Sequence, residues 1–173
     1  PEGWRVVDGL LMRSGPGGDL ATVATFGDFE FAFDWALPTG GNSGVRFRVD
    51  DGPGDAAQSG PEFQLLDNAG HPDGGDPFTS AGGCYGLYAP KYDATAFPGA
   101  WNQARILVRG RSVEHRLNGR RVAAYELGSE DWAARVKESK FADRPRFGRA
   151  DRGRIVLQDH GDAVRFRRIM IRE

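Results

Sequence analysis

Two stretches of alternating polar and apolar residues carry the side chains that could perform acid–base chemistry on a bound molecule. They cover residues 41–48 and residues 60–67. Successive side chains of an extended chain point to opposite faces, so each stretch would turn its apolar residues to a core and its polar residues to the other face. The polar residues are Arg46, Arg48, Glu62 and Gln64, and Asp67 ends the second stretch. Two neighbouring strands of this kind predict a polar cleft on one face of a sheet.

A third stretch, residues 154–160, could add an imidazole to that cleft. Its alternation puts Gln158 and His160 on one side. A carboxylate beside an imidazole supplies a base and an acid near neutral pH, because histidine titrates at about 6.5 and burial can shift the pKa of a glutamate. Two structural interpretations stay open: His160 is a hydrogen-bonded loop residue, and Glu62 is one partner of a cross-strand ion pair.

The spacing of the histidines and the cysteine predicts no metal site. The three histidines, His71, His115 and His160, are far apart in the sequence, and no H-x-H or C-x-x-C pair occurs. The chain also has no phosphate-cradling glycine motif and no G-x-S-x-G nucleophile elbow. Acid–base chemistry by Glu62 and His160 therefore stays open beside the two structural interpretations.

Length, charge and composition bound the class of protein. A chain of 173 residues fits a single domain, residues 1–173, which buries roughly two-thirds of its unfolded surface. The 23 basic and 24 acidic residues nearly cancel, so neither nucleic acid nor a membrane surface is predicted as a partner. No apolar run approaches the roughly 20 residues of a membrane span.

The single Cys84 excludes an intramolecular disulfide, and we expect a buried inert thiol. The sequence makes no prediction about oligomeric state.

Glycine and proline spacing predicts an all-β protein with one short helix. The 25 glycines and 10 prolines separate short apolar runs, as in a chain of many strands and turns. The Asp-Gly pair at 8–9 and the Asn-Gly pair at 118–119 predict hairpin turns, and the alternating aromatic residues in 29–36 predict a core strand. Ser129 can cap a helix over residues 129–140. The other predicted strands are residues 4–7, 10–12, 20–25, 81–88, 101–109, 112–117, 120–126, 154–158 and 163–171.

Several short motifs occur in one consistent order along nearly the whole chain. The main ones are GNSGVRFR at 41–48, EFQLLD at 62–67, WN at 101–102, LNG at 117–119, LQDHG at 157–161 and FRRI at 166–169. The supporting ones are GDFE at 27–30, YGLY at 85–88 and SKFA at 139–142. With this set of motifs the chain resembles the 3-keto-disaccharide hydrolase domain family. The set is far more specific than any single motif.

The family resemblance implies both a fold and a reaction. The fold is that of the concanavalin-A-like lectin and glucanase superfamily, a jelly-roll sandwich of two antiparallel sheets with a concave groove that faces carbohydrate. The reaction is cleavage of 3-keto-glycosides or 3-keto-disaccharides, small carbohydrates whose sugar is oxidised to a ketone at carbon 3. It proceeds through loss of the proton on carbon 2, elimination of the glycosidic oxygen and addition of water. No cofactor is required, and a divalent metal that polarises the ketone is an alternative. Family members are often exported, which favours a secreted or periplasmic protein.

The implied reaction assigns roles to the polar residues. It needs a base, an acid and a group that stabilises the enolate oxygen. By resemblance we assign Glu62 as the base, His160 as the acid or proton shuttle, and Arg46 or Arg48 as the enolate stabiliser. The residues expected to bind sugar hydroxyls are Asn42, Gln64, Asp67, Tyr85, Lys91 and Gln158.

Two other classes of function are consistent with the same residues. Laminarinase-like relatives of this fold carry the order E-x-D-x-x-E on a central strand, and Glu62, Gln64 and Asp67 occupy the matching offsets. Two of the three residues are changed, and Gln64 cannot ionise, which argues against an ordinary two-carboxylate glycosidase. A non-catalytic carbohydrate-binding module is the second alternative, because a fold does not determine a function.

Overall fold

The computed structural model of the protein describes residues 2–173, which form two antiparallel sheets and one α-helix. The strands are β1 (Trp4–Val7), β2 (Leu10–Arg13), β3 (Leu20–Ala21), β4 (Phe29–Ala36), β5 (Asn42–Val49), β6 (Glu62–Leu66), β7 (Asn102–Arg109), β8 (Ser112–Leu117), β9 (Arg120–Glu126), β10 (Arg154–Leu157) and β11 (Arg165–Arg172). The helix α1 spans Glu130–Glu138, and short 3₁₀ helices span Ala56–Gln58, Pro72–Gly75 and Pro77–Thr79. The larger sheet has the order β1-β2-β11-β4-β7-β8-β9 and the smaller has the order β3-β10-β5-β6. The predicted all-β jelly-roll sandwich is confirmed.

The two sheets pack against each other through the aromatic residues of β4. All four aromatic side chains of this strand are at most 4% exposed, as the alternation predicted. Phe33 meets Phe63 of β6 with ring centroids 6.0 Å apart, and Phe29 meets Phe47 of β5 at 6.2 Å. Burying one such side chain contributes roughly 1.5–3 kcal/mol. Because these inward residues of β5 and β6 are fixed, their neighbours in sequence must point to the outer face of the smaller sheet.

Two predicted hairpin turns have the expected backbone conformation. Asp8 and Gly9 join β1 to β2 with φ angles of 50° and 75°, and Asn118 and Gly119 join β8 to β9 with φ angles of 48° and 79°. Positive φ at both central residues is the conformation of a two-residue hairpin turn that matches the twist of antiparallel strands. The Asp-Gly and Asn-Gly pairs therefore set the pairing of these strands locally.

The single helix begins where the sequence predicted. The Ser129 hydroxyl accepts a hydrogen bond from the backbone N–H of Trp132 at 3.1 Å, and Trp132 is buried. Beyond the helix the chain runs back towards the start of β6, where the N–H of Gly148 donates to the carbonyl oxygen of Ser59 at 2.8 Å. This return brings residues 139–149 close to the smaller sheet. Within residues 2–173 no helix has the length and apolar character needed to cross a membrane.

Two predicted strands are wrong in whole or in part. The strand expected over 20–25 is limited to the two residues of β3, and residues 81–88 form turns instead of a strand. In the second segment Cys84 makes isolated bridges to Phe63 and Tyr88. Gly82 and Gly86 have φ angles of 87° and 72°, so the chain turns on either side of the bridge and cannot extend the ladder.

A buried polar cluster lies under that segment. His115 is fully buried, with Nδ1 3.0 Å from the carbonyl oxygen of Gly82 and Nε2 3.0 Å from the Tyr125 hydroxyl. Burial lowers the pKa of His115 to about 4, so its ring is neutral at pH 7. Burial also raises the pKa of Cys84 to about 12. The expected buried thiol is confirmed, and it stays protonated near neutral pH.

Candidate active site

The polar residues predicted to line a cleft lie along the outer face of the smaller sheet, where β5 runs between β10 and β6, and we refer to this polar face as the cleft. Antiparallel pairing sets Arg46 opposite Glu62 and Gly44 opposite Gln64. On the other side of β5, the backbone N–H of Gln158 donates to the carbonyl oxygen of Gly44 at 2.9 Å. One cross-strand row thus holds an arginine and a glutamate, and the next holds a glycine between two glutamines.

Glu62 and Arg46 form a buried ion pair. Arg46 Nη2 lies 2.5 Å from Glu62 Oε2, and the two residues are 6% and 3% exposed. A second nitrogen of Arg46, Nη1, donates to the carbonyl oxygen of Gly60 at 3.4 Å. Burial raises the pKa of Glu62 above its ordinary range, and the positive charges of Arg46 and Lys140 offset only part of that effect. The structure therefore holds a carboxylate that is more basic than an ordinary glutamate.

Gly44 provides the space in which the Glu62 carboxylate lies. A Cβ atom at position 44 would overlap this carboxylate, with Oε1 as the nearest atom. Arg46 binds the other oxygen, Oε2. Position 44 must therefore be glycine, because the Glu62 carboxylate approaches its backbone closely. Since Oε2 is bound to Arg46, Oε1 is the oxygen that lies over Gly44. Sequence reasoning did not single out Gly44, although it lies within the GNSGVRFR motif.

The two glutamines that flank Gly44 each bury an unpaired acceptor. Gln64 is completely buried, and its Nε2 donates to Asn42 Oδ1 at 3.4 Å. The Oε1 atoms of Gln64 and Gln158 are buried and have no hydrogen-bond partner among residues 2–173. Buried acceptors are normally satisfied, so these two oxygens are exceptions that a bound hydrogen-bond donor would remove. Asn42 is itself anchored, because its backbone N–H donates to Asp162 Oδ2 at 3.1 Å.

Tyr85 borders the cleft on the far side of β6. Its backbone N–H donates to the carbonyl oxygen of Glu62 at 3.1 Å. The preceding residue, Cys84, makes an isolated bridge to Phe63, and this pairing sets Tyr85 opposite Glu62. The Lys140 ammonium lies 4.1 Å from the centre of the Tyr85 ring. The structure therefore adds Lys140, whose only signal in the sequence was its place in the SKFA motif.

Arg48 does not share the environment of Arg46. The pairing of β5 with β10 shifts register between Arg154 and Val156, and Arg48 has a φ angle of 50°. Its guanidinium donates to the carbonyl oxygen of Gly27 at 3.2 Å and 3.0 Å and lies 3.5 Å from Asp28 Oδ1. Of the two candidate arginines, Arg46 pairs with Glu62 and Arg48 anchors the loop before β4.

His160 lies at the rim of the smaller sheet, two residues beyond Gln158. Its side chain is 45% exposed, with Nδ1 3.9 Å from Asp162 Oδ2. The ring stands edge-on to His71, with centroids 6.3 Å apart. The loop that carries it is fixed by Asp159, which accepts hydrogen bonds from Arg13 at 2.6 Å and from the N–H of Gly18 at 3.0 Å. The structure thus brings an accessible imidazole to the edge of the cleft.

Two other predicted binding residues have local partners. Asp67 Oδ2 accepts from the N–H of Gly40 at 2.8 Å, and Oδ1 accepts from the N–H of Ala69 at 3.3 Å. The backbone N–H of Lys91 donates to the carbonyl oxygen of Val122 in β9, the edge strand of the larger sheet. Among residues 2–173, no group of three or more His, Cys, Asp or Glu side chains has the arrangement of a metal site.

The protein is a jelly-roll sandwich. The outer face of its smaller sheet carries a buried carboxylate and two buried amide oxygens that have no hydrogen-bond partner in residues 2–173. The family model for the 3-keto-alpha-glucoside-1,2-lyase-like domain matches residues 1–172, so the chain belongs to this family. The 3-keto-disaccharide hydrolase of Bacteroides thetaiotaomicron is 31% identical, over 99% of this chain and 70% of that protein. The resemblance inferred from the motifs is thereby confirmed.

Solved structures extend the comparison. A candidate glycosyl hydrolase from Parabacteroides distasonis superposes with a TM-score of 0.92 at 33% identity, over 98% of this chain and 82% of that chain. A family 66 carbohydrate-binding module from Bacillus subtilis superposes with a TM-score of 0.62 at 13% identity, over 98% of this chain and 91% of that one. At that identity the second likeness shows the shared fold alone.

Proposed function

We propose that the protein cleaves glycosidic bonds of sugars that carry a ketone at carbon 3. Family membership and the named activity of the Bacteroides thetaiotaomicron relative support a hydrolase that acts on sugars. The single observation that carries the finer proposal is the state of Glu62. Its carboxylate is buried, its pKa is raised, and its Oε1 lies above Gly44 instead of on Arg46. These are the properties of a general base that faces a ligand.

The chemistry follows from the acidity of a hydrogen next to a ketone. Glu62 removes the proton from carbon 2, and the electrons of that bond move through carbon 3 onto the ketone oxygen to form an enolate. The enolate then collapses, a double bond forms between carbons 1 and 2, and the bond from carbon 1 to the glycosidic oxygen breaks. An acid protonates the departing oxygen. Water adds across the double bond, its hydroxyl to carbon 1 and its proton to carbon 2, which gives net hydrolysis.

The surrounding residues take supporting roles in this proposal. Arg46 holds Oε2, so that Oε1 is aimed across Gly44. Gln64 and Gln158 accept hydrogen bonds from sugar hydroxyls. His160 is the proposed proton donor to the leaving group, or a shuttle to solvent, because an exposed imidazole can both accept and donate a proton. Asn42 and Tyr85 border the same face and complete the sugar contacts.

An ordinary two-carboxylate mechanism has less support. Gln64 occupies the middle position of the glycosidase pattern and cannot ionise. Both oxygens of Asp67 accept backbone hydrogen bonds, from Gly40 and Ala69, which suits a loop-closing role. Inverting and retaining enzymes both need a second carboxyl group at a defined distance from the first. The buried pair of Glu62 with Arg46 supplies a single carboxylate.

The test is product analysis with oxidised and unoxidised substrates. The protein is incubated with 3-keto-trehalose and with a 3-keto-β-glucoside, each beside its unoxidised parent. Release of 3-keto-glucose from the oxidised sugars alone is the expected result. Cleavage of the parent sugars would indicate an ordinary glycosidase. Saturable binding without cleavage of any of the four would indicate a carbohydrate-binding module.

A further inference from the structure

Three side-chain acceptors belong to the cross-strand rows around Gly44. They are Oε1 of Glu62, Oε1 of Gln64 and Oε1 of Gln158. A sugar hydroxyl can donate to such atoms, but a ketone oxygen is an acceptor only. The ketone oxygen of a bound 3-keto sugar would be repelled by all three, and the negative charge of an enolate even more so. The C3 oxygen must therefore face a donor at another edge of the cleft.

The arginine of the cleft is already occupied. Arg46 Nη2 pairs with Glu62 Oε2 at 2.5 Å, and Nη1 reaches the carbonyl oxygen of Gly60 at 3.4 Å. Its charge offsets part of the cost of burying the carboxylate, and moving it to an enolate would remove the ion-pair partner of Glu62. The other candidate arginine, Arg48, is bound to Gly27. A different cation is needed for the charge that forms during the reaction.

Lys140 has the position and the freedom to supply that charge. Its ammonium lies over the Tyr85 ring at 4.1 Å and 5.5 Å from the centre of the Phe141 ring. Tyr85 lies opposite Glu62, and the two residues are joined by the 3.1 Å backbone hydrogen bond. Among residues 2–173, Lys140 Nζ makes no ion pair, so its N–H donors remain open to a ligand. The ammonium is close enough for its charge to act on Glu62.

We infer that Lys140 is a catalytic residue that binds the C3 oxygen and stabilises the enolate. The inference rests on the proposed function and replaces the arginines predicted for this role. As Glu62 Oε1 takes the proton from carbon 2, the electron pair moves onto the C3 oxygen, and the Lys140 ammonium neutralises it while keeping its own proton. When the C1–oxygen bond breaks, the electrons return and the contact weakens. Tyr85 holds the ammonium in place through its ring face.

The test replaces the ammonium and then restores it chemically. Lys140→Cys is expected to lower kcat about 10²–10³-fold with little change in KM, as for loss of one oxyanion-stabilising donor. Alkylation of the new thiol with 2-bromoethylamine restores an ammonium at nearly the length of lysine. Cys84 is buried with its pKa raised to about 12, so it does not compete for the reagent. Recovery of at least a tenth of wild-type kcat is expected after alkylation.

Matched controls separate the charge at position 140 from other effects. Lys137→Met changes an exposed lysine of α1 and is expected to leave kcat unchanged. Wild-type protein treated with the same reagent should also keep its activity. Solvent deuterium exchange at carbon 2 of 3-keto-glucose, a sugar with no aglycone, should slow in Lys140→Cys as much as cleavage does, because the enolate forms in that step.

The inference is overturned if Lys140→Cys turns over within about threefold of wild type. It is also overturned if alkylation, verified by mass spectrometry, restores no activity to a variant that keeps its thermal unfolding midpoint. If the wild-type protein cleaves no 3-keto sugar at all, the proposed function fails and the role of Lys140 falls with it. Cleavage by the wild type with an unimpaired Lys140→Cys variant removes the role of Lys140 alone.

Discussion

Glu30 on the outer face of the larger sheet and Glu62 on that of the smaller sheet both pair with arginine, yet these ion pairs lie in different environments. On the larger sheet, Glu30 pairs with Arg105 at 2.8 Å and with Arg172 at 2.5 Å, and those arginine side chains are 59% and 77% exposed. On the smaller sheet, the paired side chains of Arg46 and Glu62 are 7% and 3% exposed. The first arrangement is a solvated strand face, whose ion pairs contribute little to stability.

The difference lies in how each charge is satisfied. The arginines that pair with Glu30 are exposed, so solvent can hydrate these ion pairs. On the smaller sheet, burial removes solvent from Glu62, and the neighbouring Gln64 and Gln158 have buried oxygens without partners in residues 2–173. A buried ion pair is weak evidence for stability, because desolvation offsets much of the attraction. Unpaired buried acceptors beside it point instead to a ligand.

The largest difference between the two faces is expected from matched glutamate variants. Glu62→Gln should lower kcat by about 10³- to 10⁴-fold, because it removes the proton acceptor while keeping the shape of the side chain. Glu30→Gln, on the larger sheet, should leave kcat unchanged and alter stability by less than about 1 kcal/mol. Both are measured by initial rates on a 3-keto glucoside and by urea unfolding. Near-normal turnover in Glu62→Gln would reject the base assignment.

A methyl group at the floor of the cleft should have the next largest effect. In Gly44→Ala the new Cβ displaces the Glu62 carboxylate, and a displacement of about 1 Å costs on the order of 10²-fold in kcat. Gly75→Ala is the control, because a Cβ atom there meets nothing within 4 Å. Rates and thermal unfolding midpoints are compared for the two variants. Equal activity in both would show that the carboxylate need not lie over Gly44.

The pH dependence should report the burial of Glu62. A base acts as its carboxylate, so a raised pKa moves the acid limb of kcat/KM above the ordinary glutamate value of about 4.3. Below that limb the rate should fall tenfold per pH unit. A raised pKa in the folded state also means that protonated Glu62 favours folding at low pH, and this stability is lost as pH rises through the folded pKa. The stability of wild type relative to Glu62→Gln should therefore rise as pH falls.

An acid limb of kcat/KM at or below the ordinary glutamate pKa would contradict a raised pKa of Glu62. Urea unfolding of both proteins at several pH values provides the second measurement. A stability difference independent of pH would mean that Glu62 has the same pKa in the folded and unfolded chain.

The smallest expected effect comes from replacing the two glutamines whose amide oxygens have no hydrogen-bond partner in residues 2–173. Gln64→Leu and Gln158→Leu should each raise KM about tenfold, the loss of one hydrogen bond to substrate. Gln158→Leu should lower the unfolding midpoint little, because it removes a buried acceptor without a hydrogen-bond partner in residues 2–173. Gln64→Leu should lower it slightly more, because it also removes the hydrogen bond from Gln64 Nε2 to Asn42 Oδ1. Measuring KM and thermal unfolding together separates binding from structure. A large loss of stability with unchanged KM would assign these glutamines to the fold.

The faces of the strands were readable from the sequence, because alternation in β5 and β6 is a property of the local chain. The inward Phe63 and the outward Glu62 follow from it directly. Arg48 did not follow the pattern, since a register shift opposite β10 and a positive φ redirect its side chain. A local irregularity of this kind leaves the hydrophobic alternation unchanged.

Contacts between distant segments were not readable from the sequence. Lys140 comes from the chain after α1, and only the folded return of that segment brings it onto Tyr85. The burial of Glu62 also depends on such coverage, and alternation alone predicts solvent-facing charge equally for Glu30 and Glu62. The family motifs included both the lysine and Gly44, but a motif gives no distance.

The central claim is that Glu62, on the outer face of the smaller sheet, removes a proton from carbon 2 of a 3-keto sugar. The most direct measurement is cleavage of a 3-keto glucoside in D₂O, with the released 3-keto-glucose analysed by NMR and mass spectrometry at early times. Free 3-keto-glucose incubated without the protein controls for spontaneous exchange. The account predicts deuterium at carbon 2 of the enzymatic product. Cleavage that retains the original hydrogen at carbon 2 would contradict it.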